Sequence, residues 1–279
     1  MISVNITTTF SRSSLCAATL WSLINQSVTP DAINLWISHE SYLADSGFDE
    51  EPEWVAQLNS IKNIIKVRFT SNIGPYRKMI PALREANIDD IIVYADDDVI
   101  YGENWFAKLY DAYIKCKKKN VVATRVRIRQ KNFFGKNKSY NLCKIETQNM
   151  LLTSNYIITG IGGCILSKSN INEELLSIDD YKEIAPKTDD VWFSKLVEKS
   201  NCNVYVCSEA LSDIQEIKHT TVALNVSNTI RNVQENVLFR QINKIITYVL
   251  GYCGFPISNN DLMIKQVDEY FKKSAIKIH

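Results

Sequence analysis

The sequence predicts an α/β fold: a mostly parallel central sheet flanked by helices, with a helical appendage at the C-terminus. Three observations carry this expectation. Strand-like and helix-like segments alternate β-α-β-α-β through the first hundred residues, an order that calls for parallel strands joined by right-handed crossovers. The stretch Ile91-Ile92-Val93-Tyr94-Ala95-Asp96-Asp97-Asp98 is continuously apolar and then ends in three carboxylates. A strand buried on both faces reads this way, and ligands of open α/β sheets bind beyond the carboxyl ends of their strands. Finally, 279 residues with 46% hydrophobic content suffice for one large α/β domain with a small appendage.

Taken in order, residues 2–9 form a first strand. Ser13 or Ser14 caps a helix whose apolar positions Leu15, Leu20, Leu23 and Ile24 recur at helical spacing. Residues 33–38 and 64–69 are strands, 76–86 a helix, and 91–95 the strand that ends in the acids. A helix is expected over 104–118. Residues 122–129 alternate, with Val122, Thr124, Val126 and Ile128 toward the core and Arg125, Arg127 and Arg129 on the other face. Residues 130–138 form a loop, and 156–166 a strand interrupted by Gly160, Gly162 and Gly163. A helix over 189–199 and a strand over 203–207 complete the core. Beyond about residue 208 the pattern weakens. A helix with an apolar stripe covers 236–252, and Tyr270 and Phe271 sit on a short terminal helix. The expected division is a domain over 1–225, with halves 1–98 and 99–225, and a helical segment over 226–279.

The formal net charge of +1 argues against a general nucleic-acid binder. The charge is uneven: residues 112–145 hold eleven Lys or Arg and no acid. Seven scattered cysteines without a CxxC pair suggest a reducing compartment. The N-terminus lacks the basic and apolar regions of a signal peptide, and no apolar run is long enough to span a bilayer. A cytoplasmic protein is expected.

Three adjacent acids at a strand end need a cation to offset their repulsion. A hard Mg²⁺ or Mn²⁺ ion, sharing its shell with substrate phosphates, suits oxygen ligands of this kind. The same residues would also serve as an acidic cap for the helix that begins near Asn104. Asp96 and Asp98 can converge on one side of an extended segment while Asp97 points elsewhere.

The motifs Thr9, Arg12, Leu20-x-Ser22-Leu23-x-x-Gln26, Gly74-Pro75-Tyr76-Arg77-Lys78-Met79-Ile80-Pro81, Tyr94-Ala95-Asp96-Asp97-Asp98, Gly160-Ile161-Gly162-Gly163 and Thr188-Asp189-Asp190-Val191-Trp192 span roughly residues 2–210. In that order they resemble the family-2-like glycosyltransferases of the GT-A fold, a Rossmann-like nucleotide-binding architecture. Within that group the chain looks closest to bacterial enzymes of surface polysaccharide assembly, of the O-antigen type. The resemblance implies a nucleotide-sugar donor, with a UDP-sugar expected, and an Asp-x-Asp site in which Asp96 and Asp97 serve the donor while Asp98, with Asp96, binds Mn²⁺ or Mg²⁺. It also implies a catalytic base at Asp190 with Asp189 positioning substrate, although Thr188-Asp189-Asp190 is equally a good helix cap.

Thr9, Arg12 and Lys78 are candidate donor contacts, and Gly162 and Gly163 let backbone approach the sugar or phosphate closely, unless they only make a tight turn. His219 is a candidate further metal ligand. Arg125, Arg127 and Arg129, with Trp192, are candidate acceptor contacts. In the enzymes resembled, the acceptor is often a glycan carried on a polyprenyl pyrophosphate, which would bring peripheral contact with the inner face of the plasma membrane. Two other classes compete. A nucleotidyltransferase would also use acids and Mg²⁺, but with a glycine-rich loop where Thr8-Thr9-Phe10-Ser11-Arg12 stands. A nucleotide- or glycan-binding module would lack turnover.

Overall fold

The computed structural model describes residues 1–217 and 237–274. Its strands are β1 (Ile2–Thr7), β2 (Ala32–Ile37), β3 (Ile65–Phe69), β4 (Ile91–Tyr94), β5 (Val99–Tyr101), β6 (Val121–Ala123), β7 (Val126–Ile128), β8 (Lys144–Ile145), β9 (Met150–Leu152), β10 (Tyr156–Ile158), β11 (Cys164–Ser167), β12 (Val204–Val206) and β13 (Ile214–Glu216). The helices are α1 (Ser13–Ile24), α2 (Trp54–Ile61), α3 (Ile80–Glu85), α4 (Trp105–Lys115), α5 (Glu173–Leu176), α6 (Tyr181–Ile184), α7 (Asp189–Lys199), α8 (Val237–Tyr252) and α9 (Asn259–Ser274).

Eight strands form the central sheet in the order β3-β2-β1-β4-β11-β6-β12-β9. The run from β3 to β4 is parallel, as the alternating sequence requires. β11 enters antiparallel between β4 and β6, and β9 closes the far edge antiparallel to β12. Helices cover both faces, so β2 and β4 are buried at every position, which is why they are apolar without alternation. The edge strand β3 instead exposes Lys66 and carries Arg68, charges that discourage pairing with another chain. One core layer gathers Leu20, Leu35, Val93 and Phe106 beneath α1 and α4. The other gathers Tyr94, Leu166, Trp192 and Phe193 beneath α3 and α7.

Four departures from the sequence-based expectation bear most on the architecture. Residues 122–129 are not one strand. β6 belongs to the central sheet and β7 to a three-stranded sheet with β8 and β10, and the break lies at Thr124 and Arg125, where the backbone of Gly162 closes on Arg125. Residues 74–78 form a 3-10 turn before α3, because Pro75 and Pro81 interrupt regular helix geometry. α2 was not expected; its short apolar face, Val55 and Leu58, is hidden in sequence behind the acidic run 49–53. The last helix is sixteen residues long rather than short, and its Val267 and Phe271 pack into the same core layer as Trp192.

Candidate functional site

The register Asn5↔Tyr94 aligns the carboxyl ends of β1 and β4, so the turn after β1 meets the three acids. Asp96 and Asp98 are each about a quarter exposed on the cleft side. Asp97 turns inward. Its carboxylate accepts from Thr8 Oγ1 and from the Arg12 guanidinium, and its carbonyl accepts from Thr19 Oγ1 at 2.9 Å. Burial dominates its titration and pushes its pKa up to about 6, against the opposing pull of Arg12 and Thr8. Arg12 also reaches Asp98 at 2.9 Å. Burial disfavours the charge on Arg12, but Asp97, Asp98 and Asp96 outweigh it and hold its pKa above the ordinary value.

Lys78, delivered by the 3-10 turn, is buried and joins the two acidic motifs. Its ammonium pairs with Asp96 and, at 2.9 Å, with Asp189 at the start of α7. Burial opposes this charge too, yet Asp189 and Asp96 raise its pKa well above normal. Beside it, Asp190 accepts a hydrogen bond from the Gly160 N–H at 2.9 Å. Burial first, then the Asp189 carboxylate, push Asp190 well above the usual carboxylate range. A Cβ at Gly160 would lie 2.4 Å from Asp96 Oδ1 and 2.7 Å from Lys78 Nζ, so any side chain there would displace the Asp96–Lys78 pair.

These groups line a cleft of about 660 Å³ that also takes in Thr9, Arg125, Arg127, Tyr140 and Ser258. Arg127 lies over the Tyr140 ring at 4.8 Å and donates to the Cys143 carbonyl. Arg125 stands 3.8 Å from Glu216. Arg129 is not among the lining residues; it makes two hydrogen bonds to Asp268 of α9, at 3.2 and 2.6 Å. Trp192 is not brought to the cleft either. Its indole is fully buried between Tyr181, Tyr270 and Phe271, because position 192 of α7 faces the core. Gly162 and Gly163 serve packing. Added Cβ atoms would meet Arg125 at 2.5 Å and Trp105 at 2.2 Å respectively, and Gly163 has a φ of +76°. His219 lies outside the described residues.

Arg77 was overlooked by the sequence reading, although it stands in a quoted motif next to Lys78. It is 1% exposed and donates to the Thr8 carbonyl and to Asp45, at 3.0 and 2.8 Å. Asp45 itself carried no sequence signal, because a loop contact made 32 residues from its partner leaves no local period.

The two outward carboxylates supply hard oxygen ligands of the kind a Mg²⁺ or Mn²⁺ ion takes when phosphates complete its shell. Among the described residues no group of three or more His, Cys, Asp or Glu side chains forms a self-sufficient metal site. Asp96 and Asp98 are the described carboxylates whose donor chemistry suits such an ion.

The family model described as glycosyl transferase family 2 matches residues 5–176, more than half of the chain. That span holds the three acids and the glycine turn and ends before Asp189. No curated protein matches. Among solved structures, S. aureus TarS (residues 1–349) is similar at 18% identity and a TM-score of 0.45, over 75% of this chain and 58% of that one. The same fragment in complex with UDP scores 0.42 at 15% identity, again over 75% and 58%. The 2-C-methyl-D-erythritol 4-phosphate cytidylyltransferase of Francisella tularensis scores 0.43 at 16% identity, over 79% and 94%. The chain thus spans less than two thirds of the TarS fragment. With the end of β1 and all of β2 through α5 inside the matched span, the chain belongs to glycosyl transferase family 2 and has its GT-A, Rossmann-like α/β fold.

Proposed function

We propose that this chain is an inverting glycosyltransferase that moves a sugar from a UDP-sugar to a hydroxyl of a glycan acceptor. The observation that carries the reading is the Lys78 bridge, which ties the acids after β4 to the acids that open α7 across one cleft. Donor chemistry belongs to the first cluster and acceptor chemistry to the second. Asp98 with Asp96 would hold a Mn²⁺ or Mg²⁺ ion, which when bound supplies positive charge to the donor diphosphate. Thr9, Arg12 and Lys78 border the donor, and Asp97 locks Arg12 in place from below.

Asp190 is the proposed base. The acceptor hydroxyl gives its proton to the Asp190 carboxylate as its oxygen bonds to the anomeric carbon, and the bond from that carbon to the phosphate oxygen breaks to release UDP. Burial and the neighbouring Asp189 raise the proton affinity of Asp190, which favours its taking a proton from a hydroxyl. Asp189, held by Lys78, positions the pair. Arg125 and Arg127 face the acceptor side of the cleft and suit an anionic acceptor, for which a sugar on polyprenyl pyrophosphate in surface polysaccharide assembly (O-antigen or capsule) at the cytoplasmic face of the plasma membrane is proposed.

The testing experiment follows nucleotide release from a panel of nucleotide sugars. A glycosyltransferase liberates UDP, a nucleotidyltransferase liberates pyrophosphate from a nucleoside triphosphate, and a binding module liberates neither. Asp190→Asn is expected to abolish UDP release while retaining UDP binding. Near-normal turnover in that variant would remove Asp190 as the base.

A further inference from the structure

The loop over 130–138 ends in two adjacent phenylalanines turned to solvent. Phe133 is 89% exposed and Phe134 73%, and their rings pack edge to face at 5.6 Å. Both rings lie outside the apolar core, and leaving them in water is unfavourable. The tip is nevertheless built, not loose. Asn132 Oδ1 accepts from the backbone N–H groups of Phe134 and Lys136, and its Nδ2 donates to the Tyr252 carbonyl at the end of α8.

That anchorage joins the tip to a second apolar surface. Ser139 N–H donates to the Gly251 carbonyl at 2.9 Å, and Lys138 lies over the Tyr252 ring at 5.3 Å. Along α8, Ile245, Tyr248 and Val249 share the face that ends at Tyr252, by their spacing of three and four, and they are 65%, 58% and 51% exposed. Phe255, 54% exposed, follows Gly254, which packs against Lys136 and Asn137.

The charge around this surface is predominantly basic; the adjoining acid, Asp261, is engaged by Ser139, Tyr140 and Ser258. Residues 130–145 carry four lysines and no acid, and residues 243–260 carry Lys244 and no acid. A protein partner would need an acidic, apolar surface of matching shape. An anionic bilayer supplies both chemistries without any shape requirement: hydrocarbon for the rings and negative headgroups for the lysines. Tyr140 and Ser258, next to this surface in sequence, line the cleft, so docking here would turn the acceptor side of the cleft toward the lipid.

We propose that Phe133, Phe134, Phe255 and the outer face of α8 form a docking surface for an anionic membrane. This deepens the lipid-linked acceptor reading and rests on it only for orientation. The test is cosedimentation of the full chain with phosphatidylglycerol vesicles and with phosphatidylcholine vesicles, without donor or acceptor. Binding to the anionic vesicles alone, reversed by high salt, is expected. Replacing both rings (F133S with F134S) is expected to lower the partition coefficient about tenfold or more, and Lys131→Glu with Lys136→Glu to lower it while leaving melting unchanged.

All four side chains are exposed, so the variants keep the core intact, and UDP binding by each checks the cleft. Absence of binding, equal binding to both vesicle types, or unchanged binding by the phenylalanine variant overturns the proposal. So does a concentration-dependent dimer of the wild-type chain that the phenylalanine variant converts to monomer. Asp190→Asn is expected to bind vesicles like the wild type, so loss of transfer and loss of docking are read separately.

Discussion

Removing the Lys78 ammonium tests the junction on which the site depends. In Lys78→Met the chain keeps a side chain of similar length but loses the ammonium that pairs with both Asp96 and Asp189. Breaking a buried ion pair by deleting one partner costs about 3–5 kcal/mol, because the surviving charge stays buried without its counterion. For a chain of this size that corresponds to a fall in Tm of roughly 10 °C.

The pH dependence separates this cause from simple loss of packing. Lys78 pulls the Asp190 pKa down, so its removal raises that pKa further. A carboxyl whose folded pKa lies above its unfolded value contributes stability that is complete below the unfolded value and is lost as pH rises through the folded one. The deficit of Lys78→Met is therefore expected to be smaller at pH 5 than at pH 8, because it is the ionised form of Asp190 that Lys78 offsets. Lys78 itself has a raised pKa, so it stays charged across this window and adds no slope. Differential scanning calorimetry of wild type and variant at the two pH values reads the effect. An equal loss of Tm at both would refute the electrostatic argument and leave Lys78 as a space-filling residue.

Four further outcomes are expected. Gly160→Ala drives a methyl into Asp96 and Lys78 and should lower kcat/KM about 100-fold, the scale of a small misplacement of reacting groups, measured by steady-state UDP release. Asp97, with its pKa at about 6, should make stability fall as pH rises from about 4 to 7; a urea-midpoint profile reads this, and Asp97→Asn should flatten that part of the slope. Arg127→Ala should raise the acceptor KM with little change in Tm. Arg129→Ala should do the reverse, losing about 1–3 kcal/mol with its charged hydrogen bonds to Asp268 and leaving acceptor KM unchanged.

How far the sequence reaches is clear from particular residues. β4 and its acids were legible because burial on both faces removes alternation, and the abrupt charge marks the strand end. The α7 boundaries, Asp189–Lys199, followed from a cap and a period that are both local. Arg125, Arg127 and Arg129 looked equivalent by alternation. The structure separates them, since β6 ends before Arg125 and α9 supplies Asp268 to Arg129 from 139 residues away. Trp192 drew attention through the acids beside it, but a helix turns successive residues about 100° apart, which carries its side chain into the core. The Lys78 bridge joins segments about 110 residues apart, and no local pattern encodes such a contact.

The most direct test of the central claim is isothermal calorimetry of UDP binding with and without Mn²⁺, comparing wild type with Asp98→Asn. The account predicts that wild type binds UDP much more tightly with Mn²⁺ and that Asp98→Asn loses that enhancement while remaining folded. Equal UDP affinity in wild type with and without metal, or an undiminished metal effect in Asp98→Asn, would contradict the assignment of the acids after β4 to a metal-assisted nucleotide site.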